Sequence, residues 1–261
     1  MYPFLEINSK LKKYLVVTAS CFTLLACQKI GYAPERIQSE ALVVNTNTIP
    51  DSLITSFVAP YKASVDKEMN KTLAYAPVSL SKKDSKYNTA IGNMMADAVF
   101  EMANPIFEKR TGYPFDGVLL NYGGIRSGLN KGAVTTRTAY EIMPFENEVV
   151  VVELSGYQLK EMFDYLSRGK AHPIAGMQLQ LHTDGSIKEA RIQDQKIVDN
   201  QTYFIATSDY LQKGGDRMTF LTQPVSMLNL DYKIRNLLID YFTKKDTIAP
   251  SSDNRFTKES L

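Results

Sequence analysis

The sequence has few of the side chains that carry hydrolytic chemistry. Its 261 residues include two cysteines, two histidines and no tryptophan. His172 and His182 lie in separate segments without metal-ligand spacing, so we expect a surface or turn role for both. Neither a Gly-x-Ser-x-Gly nucleophile elbow nor a Gly-x-x-x-x-Gly-Lys phosphate loop occurs. We therefore expect no catalytic residues, no metal site and no cofactor in this chain.

The N-terminal segment predicts export and a lipid anchor. Lysines at three of the positions 10–13 precede an apolar run over residues 14–25, which ends in Leu-Leu-Ala before Cys27. This pattern is typical of a bacterial lipoprotein signal peptide over residues 1–26, with Cys27 as the lipidated residue. The alternatives are an ordinary secretory leader and a membrane anchor, for which the apolar run is short. We expect a lipoprotein on the periplasmic or cell-surface face of a bacterial membrane.

The remaining 235 residues have no excess of charge. Loss of residues 1–26 removes three lysines and one glutamate, so the formal net charge falls from +2 to 0. A neutral chain gives no case for a nucleic-acid partner. Cys21 leaves with the signal peptide and Cys27 is used for the lipid, so no disulfide is expected.

Helical and strand-like patterns alternate along the mature chain. We expect a tether over residues 27–50, one domain over residues 51–250 and a disordered tail over residues 251–261. Because hairpins occur beside helices, the predicted fold class is α+β, a mixed β-sheet with packed helices. A strand of nearly continuous valine over residues 147–154 indicates an interior strand covered on both faces.

Several local signals place individual elements. An apolar stripe from Ile54 to Leu73 predicts a helix that Pro60 kinks or splits, and a second helix begins near Asn88 and ends before Pro105. The remaining signals are a capping box at Ser155-Gly-Tyr-Gln158, a hairpin at Thr183-Asp-Gly-Ser186, and a final helix over residues 232–242 capped near Asp231.

One stretch has the character of an anion site. The apolar run Val118–Leu120 ends at Asn121, where two glycines, Gly123 and Gly124, turn the backbone before Arg126. Glycines allow backbone N–H groups to approach a ligand, and the arginine guanidinium is a planar donor fork. Downstream, Phe145 lies at the start of the valine strand, so a ligand with both a flat ring and a phosphate is indicated.

Three motifs together resemble a known family. Asn121-Tyr-Gly-Gly-Ile-Arg126, Pro144-Phe-Glu-Asn147 and Asp209-Tyr-Leu-Gln-Lys-Gly-Gly-Asp216 are similar, in order and spacing, to the C-terminal domain of the 5′-nucleotidases and UDP-sugar hydrolases. In that family this domain binds the nucleotide, and an N-terminal metallophosphoesterase domain carries two metal ions. The Asp-x-His and Gly-Asn-His signatures of the metal-bearing domain do not occur in this sequence, and its Gly-Asp pair, Gly215-Asp216, belongs to the third motif.

The resemblance implies a role for each motif. Phe145 and Tyr210 would hold a nucleobase between them, with Asn147 bonded to the edge of the base. Asn121 and Asp216 would contact ribose hydroxyls, and Arg126 would contact the phosphate. The predicted substrate-binding set is completed by the four motif glycines, Gly123, Gly124, Gly214 and Gly215. The alternatives are core packing for the two rings, turn stabilisation for Asn121 and Asp216, and a surface ion pair for Arg126.

The sequence departs from the family pattern near the expected ligand. Tyr122, Glu146 and Arg217 stand where smaller residues are usual, which predicts a narrower or different base pocket. Ser85, Lys86 and Asn88 occupy a region where the family often carries arginines and a glutamate.

Three functions remain open from the sequence. The chain is the nucleotide-binding half of a split 5′-nucleotidase, completed by a separate metallophosphoesterase with divalent metal ions. Alternatively, it binds nucleotides or nucleosides without any enzymatic partner, or it is a scaffold whose pocket is vestigial.

Overall fold

The computed structural model describes residues 10, 13, 14, 36 and 38–259. The predicted signal cleavage site and Cys27 lie outside the described residues. The chain divides into two units, Met1–Ser52 and Leu53–Leu261. Between residues 38 and 51 the backbone forms neither helix nor strand, and a helix begins at Ser52.

Six α-helices lie between residues 38 and 259. They are α1 (Ser52–Met69), α2 (Ala90–Thr111), α3 (Thr136–Ile142), α4 (Gly156–Ser167), α5 (Asp209–Gln212) and α6 (Ile234–Lys244). None of these helices is long and apolar enough to cross a bilayer.

The strands form three sheets. In chain order they are β1 (Thr72–Ala76), β2 (Gly117–Leu119), β3 (Gly132–Thr135), β4 (Glu148–Ser155), β5 (Ile174–Ala175), β6 (Met177–Leu181), β7 (Ile187–Ile192), β8 (Gln195–Lys196), β9 (Thr202–Ser208), β10 (Ser226–Lys233) and β11 (Phe256–Lys258). The central sheet has the order β10-β4-β9-β2-β5, a second sheet has the order β11-β6-β7-β8, and β1 pairs with β3. Because β2 and β9 are parallel while β4 and β9 are antiparallel, the central sheet is mixed, as predicted.

The valine strand β4 separates two apolar cores. Val151 packs into a core that includes residues of α2 and α6, and Val152 packs into a core that includes residues of α4. Successive side chains of a strand point to opposite faces, so a strand that is buried on both sides has a nearly continuous apolar run, here the four valines from Val149 to Val152. The prediction of an interior strand is confirmed, and helices cover both faces of the central sheet.

The local signals in the middle of the chain are also confirmed. The Ser155 hydroxyl accepts the Gln158 backbone N–H, and the Gln158 side chain accepts the Ser155 backbone N–H, which completes the capping box of α4. Strands β6 and β7 form the predicted hairpin.

Two prolines do not interrupt their helices. Helix α1 continues through Pro60, so of the predicted kink or split the split is excluded, and α2 continues through Pro105, so its predicted end is wrong. A proline inside a helix removes one backbone hydrogen bond. In α2, burial of the long apolar face offsets the free energy lost with that bond. Helix α2 ends instead at Gly112, whose φ of 89° closes it.

The apolar stripe of α1 is exposed. No residue of α1 is buried, and the helix ends at Met69 rather than Leu73. The final helix also starts later than predicted, because Asp231 lies in β10 and Lys233 is the N-cap of α6.

The prediction of a disordered tail is wrong. Strand β11 pairs in parallel with β6, and Phe256 is 1% exposed. Arg255, the residue before Phe256, forms ion pairs with Asp97 and Asp253. Phe256 pairs with Leu179 of β6, and Arg255 pairs with Asp97, which is 158 residues away, as well as with the neighbouring Asp253. The local sequence pattern does not reveal the long-range contacts.

Candidate functional site

Three connections meet at one end of the central sheet. They follow β2 at Asn121, precede β4 at Phe145 and follow β9 at Tyr210. Val149 pairs with Ser208, and the Glu148 backbone N–H donates to the Asp209 carboxylate across 3.1 Å. A small cavity of about 10 Å³ is lined by Asn121 and Gly124 after β2, by Met143 before β4 and by Ser208 at the end of β9. The fold therefore brings the three sequence motifs together.

Asn121 and Asp216 are in direct contact. The Asn121 side-chain amide donates to Asp216 Oδ2 across 2.7 Å, and the Tyr210 hydroxyl donates to Asp216 Oδ1 across 3.1 Å. Asp216 has a φ of 52°, a left-handed conformation that aspartate tolerates better than most residues. The predicted ribose-binding pair and one predicted base-stacking residue thus form one hydrogen-bonded group. Its oxygen atoms lie where a pair of hydroxyl groups could bind.

Glycines make this group possible. A Cβ atom on Gly215 would lie 2.4 Å from the Tyr210 ring, and one on Gly124 would lie 2.7 Å from Asn121 Oδ1. Gly214 has a φ of 89°, and a Cβ on Gly123 would lie 3.3 Å from Asn121 Nδ2. The four motif glycines therefore serve backbone geometry and close approach.

Phe145 lies on a loop that Arg235 holds. Arg235 Nη1 donates to the carbonyl oxygens of Pro144 and Phe145 at 3.2 and 3.4 Å, and Nη2 pairs with the Glu146 carboxylate. The Arg235 guanidinium also lies 4.2 Å from the ring centroid of Tyr140. The Phe145 ring itself is 40% exposed. The ring is therefore accessible on a fixed backbone.

The positions of the rings and of Arg126 refine the predicted roles. Tyr210 is 43% exposed, so neither predicted stacking ring belongs to the core. The Arg126 guanidinium lies 5.9 Å from the Phe145 ring centroid, on one face of that ring. The Asn147 carbonyl oxygen accepts the Ile234 backbone N–H, which fixes the start of β4. Arg126 and Phe145 are neighbours, so one ligand could contact both.

A larger cavity of about 810 Å³ opens beside this group. Of the predicted residues, only Gly123 and Asp216 line it. The other lining residues come mostly from α4 and the segments that follow α4 and Asp216; they are Tyr122, Glu161, Asp164, Tyr165, Arg168, Gly169, Lys170, His172, Arg217, Thr219 and Phe220. The sequence does not predict most of these lining residues, because no motif includes them.

His172 does not lie at the surface, and its contact is with the turn that begins at Tyr122. Its side chain is buried with 7% exposure, and Nδ1 accepts the Tyr122 backbone N–H across 3.2 Å. Burial lowers the pKa of His172 to about 4, although the nearby Asp216 carboxylate acts in the opposite direction. The imidazole is therefore neutral at pH 7, with Nδ1 as an acceptor and Nε2 carrying the proton. His182, in contrast, is at the surface and lies 3.1 Å from Glu259.

The described residues do not fit a metal centre. Over residues 38–259 no group of three or more histidine, cysteine, aspartate or glutamate side chains could hold a metal ion.

Comparisons with known proteins agree with the motifs. The sequence profile of "5'-nucleotidase, C-terminal domain" matches residues 69–223. The trifunctional nucleotide phosphoesterase protein YfkN of Bacillus subtilis is 26% identical over 77% of this chain and 15% of its own length. The apyrase of Tabanus yao is 24% identical over 97% of this chain and 51% of its own length.

The fold has solved counterparts. The structure of a 5'-nucleotidase precursor from Thermus thermophilus superposes with a TM-score of 0.67 and 19% identity, over 81% of this chain and 44% of that chain. This chain spans about half or less of the length of these relatives. With the profile matching more than half of its residues, the chain belongs to the 5'-nucleotidase C-terminal domain family.

Proposed function

We propose that this chain is the nucleotide-binding half of a split 5′-nucleotidase-type phosphohydrolase that acts in nucleotide catabolism. Hydrolysis then requires a separate metallophosphoesterase chain with divalent metal ions. The observation that carries this proposal is the contact of Asn121 and Tyr210 with Asp216 at the end of the sheet where Phe145 is exposed.

The chemistry of this end suits a nucleoside. The Asp216 carboxylate and the Asn121 amide oxygen are acceptors for ribose hydroxyl groups. The exposed rings of Phe145 and Tyr210 offer faces for a base, and stacking contributes about 1–3 kcal/mol per base. Asn147 is proposed to bond the edge of the base.

The proposed partner follows from the chemistry that these side chains lack. Holding a nucleotide does not cleave its phosphate ester unless the transition state is bound more tightly than the substrate. A metal ion would supply a nucleophilic water and stabilise the developing charge. We place the complex at a bacterial membrane, with this chain exported and anchored through lipid at Cys27.

A second candidate is a binding protein without an enzymatic partner. It is supported by the same contacts of Asn121 and Tyr210 with Asp216, which need no second chain to form. Such a lipoprotein would capture nucleotides or nucleosides at the membrane surface, with the same binding residues.

One experiment tests both candidates. Phosphate release from the four ribonucleoside 5′-monophosphates is measured with the mature chain alone, with an exported metallophosphoesterase from the same organism and Mn²⁺, and with both. The proposal predicts that phosphate release is much faster with both proteins than with either alone. This gain in rate should be lost in Tyr210→Ala. Calorimetric binding without any rate gain would favour the second candidate. If no nucleotide binds and the rate of phosphate release does not rise, both candidate functions are overturned.

A further inference from the structure

The backbone of Asp216 is held by a residue that none of the three motifs contains. The hydroxyl of Tyr165, in α4, donates to the Asp216 carbonyl oxygen across 2.9 Å. The two residues are 51 positions apart in the sequence, and both line the cavity of about 810 Å³. The side chain of Asp216 therefore bonds to the motif residues Asn121 and Tyr210, while its carbonyl oxygen bonds to α4.

The backbone at Asp216 has an uncommon conformation that needs such support. Asp216 and Arg217 have φ values of 52° and 62°, so two successive residues other than glycine are left-handed. Conformations of this kind persist only where the surrounding structure holds them. The Tyr210 hydroxyl accepts the Asp216 backbone N–H across 3.3 Å, and Tyr165 donates to the carbonyl oxygen. The position of the Asp216 carboxylate therefore depends on both tyrosines.

The ring of Tyr165 is fixed independently of its hydroxyl. The ring packs against the apolar core under α4, and its centroid lies 5.6 Å from that of Phe220 and 5.5 Å from that of His172. Burial raises the pKa of Tyr165, and the negative charge of Asp216 acts in the same direction. The hydroxyl is therefore protonated at pH 7 and remains a donor.

The same part of the chain also contacts the loop that carries Asn121. His172, whose ring contacts that of Tyr165, accepts the Tyr122 backbone N–H. The end of α4 and the connection after it thus hold both loops whose side chains, Asn121 and Asp216, meet across 2.7 Å. Because Tyr165 bonds only to the Asp216 loop, removal of its hydroxyl should release that loop and leave the Tyr122 turn in place.

We infer that Tyr165 is a positioning residue, whose hydroxyl keeps Asp216 in the left-handed conformation that directs the carboxylate to the hydroxyl groups of the ligand. This inference rests on the proposed function and deepens it, because it assigns part of the preference for a ribose ring to a residue outside the three motifs. Tyr165 acts through Asp216.

Isothermal titration calorimetry on the mature chain tests this inference. Each of the four ribonucleoside 5′-monophosphates is compared with its 2′,3′-dideoxy analogue, which lacks both hydroxyl groups. The variant is Tyr165→Phe, which keeps the packed ring and removes the donor. The matched control is Tyr157→Phe, at a tyrosine of the same helix that is 61% exposed. The melting temperature of each variant shows that it is folded.

We expect the wild-type protein to bind its best ribonucleotide at least tenfold more tightly than the dideoxy analogue. In Tyr165→Phe this preference should fall to about threefold or less, because the carboxylate is no longer held at the hydroxyl groups. The affinity for the dideoxy analogue should stay unchanged. The control should keep the wild-type preference.

Three results would overturn the inference while leaving nucleotide binding intact. They are a full preference for the ribonucleotide in Tyr165→Phe, an equal weakening of both ligands as expected of a purely structural residue, and a wild type that binds both ligands equally. No binding of either ligand would overturn the proposed function itself.

Discussion

The Asn121 amide donates to Asp216 Oδ2 across 2.7 Å and joins two loops that are 95 residues apart in the sequence. One loop follows the buried strand β2 and the other follows β9, which pairs in parallel with β2. Parallel neighbours end at the same edge of a sheet, so both loops emerge together. The contact between the two side chains is thus a direct result of the sheet order.

A double-mutant cycle measures this contact. Asn121→Ala, Asp216→Ala and the double variant are compared by urea unfolding. We expect a coupling of about 1 kcal/mol, because the bond involves a charged acceptor but Asp216 is exposed. Additive effects of the two substitutions would show that the contact does not stabilise the loops.

The close approach of Gly215 to Tyr210 predicts a steric effect. Gly215→Ala places a methyl group 2.4 Å from the ring, so the ring or the turn must move. We expect a loss of about 1–3 kcal/mol in the free energy of unfolding and a weaker response to nucleotide. The control is Gly169→Ala, whose nearest neighbour would be 3.6 Å away. Equal stability of the two variants would contradict the described geometry.

Burial of His172 predicts a pH dependence of stability. The ordinary pKa of histidine is 6.5, and the folded protein lowers that of His172 to about 4. Between these values the unfolded chain binds the proton and the folded protein does not. Stability is therefore full above about pH 7 and falls as the pH falls towards 4, by about 3 kcal/mol from this group.

Substitution separates this effect from other titrations. His172→Asn keeps an acceptor for the Tyr122 backbone N–H but does not titrate, so its unfolding free energy should change less between pH 7 and 4. Identical slopes in wild type and His172→Asn, measured by urea unfolding at several pH values, would contradict the account.

Arg235 is predicted to act as a positioning residue for Phe145. Arg235→Leu removes the donors to the Pro144 and Phe145 carbonyl oxygens, so the loop should exchange amide hydrogen faster and the affinity for nucleotide should fall about tenfold. Lys233→Leu removes a second cation from Glu146 but no carbonyl contact, and serves as the control. If the backbone amides of the loop exchange hydrogen as slowly in Arg235→Leu as in wild type, other contacts hold the loop in place.

Elements with local causes could be predicted from the sequence. Ser155 and Gln158 are three residues apart and cap each other, so the start of α4 was evident. The valine strand was likewise identifiable, because burial on both faces requires a nearly continuous apolar run. The three motifs fixed the family and brought Asn121, Phe145 and Tyr210 to one end of the sheet.

The unpredicted features depend on long-range contacts. Arg235 reaches Glu146 over 89 residues, and nothing near Arg235 in the sequence indicates it. The sequence around His172 does not indicate its burial, because the Tyr122 turn that it contacts is 50 residues away. Lys82 and Lys170 each look like an ordinary solvated lysine until the fold places them at the ring of Tyr122.

The location of a bound nucleotide tests the central claim most directly. A crystal structure of the mature chain with its best-binding nucleoside monophosphate would place every group of the ligand. The account predicts the base at Phe145 and Tyr210, the ribose hydroxyls at Asn121 and Asp216, and the phosphate at Arg126. A base held instead between Tyr165 and Phe220 in the larger cavity, with Phe145 and Tyr210 still in solvent, would contradict it.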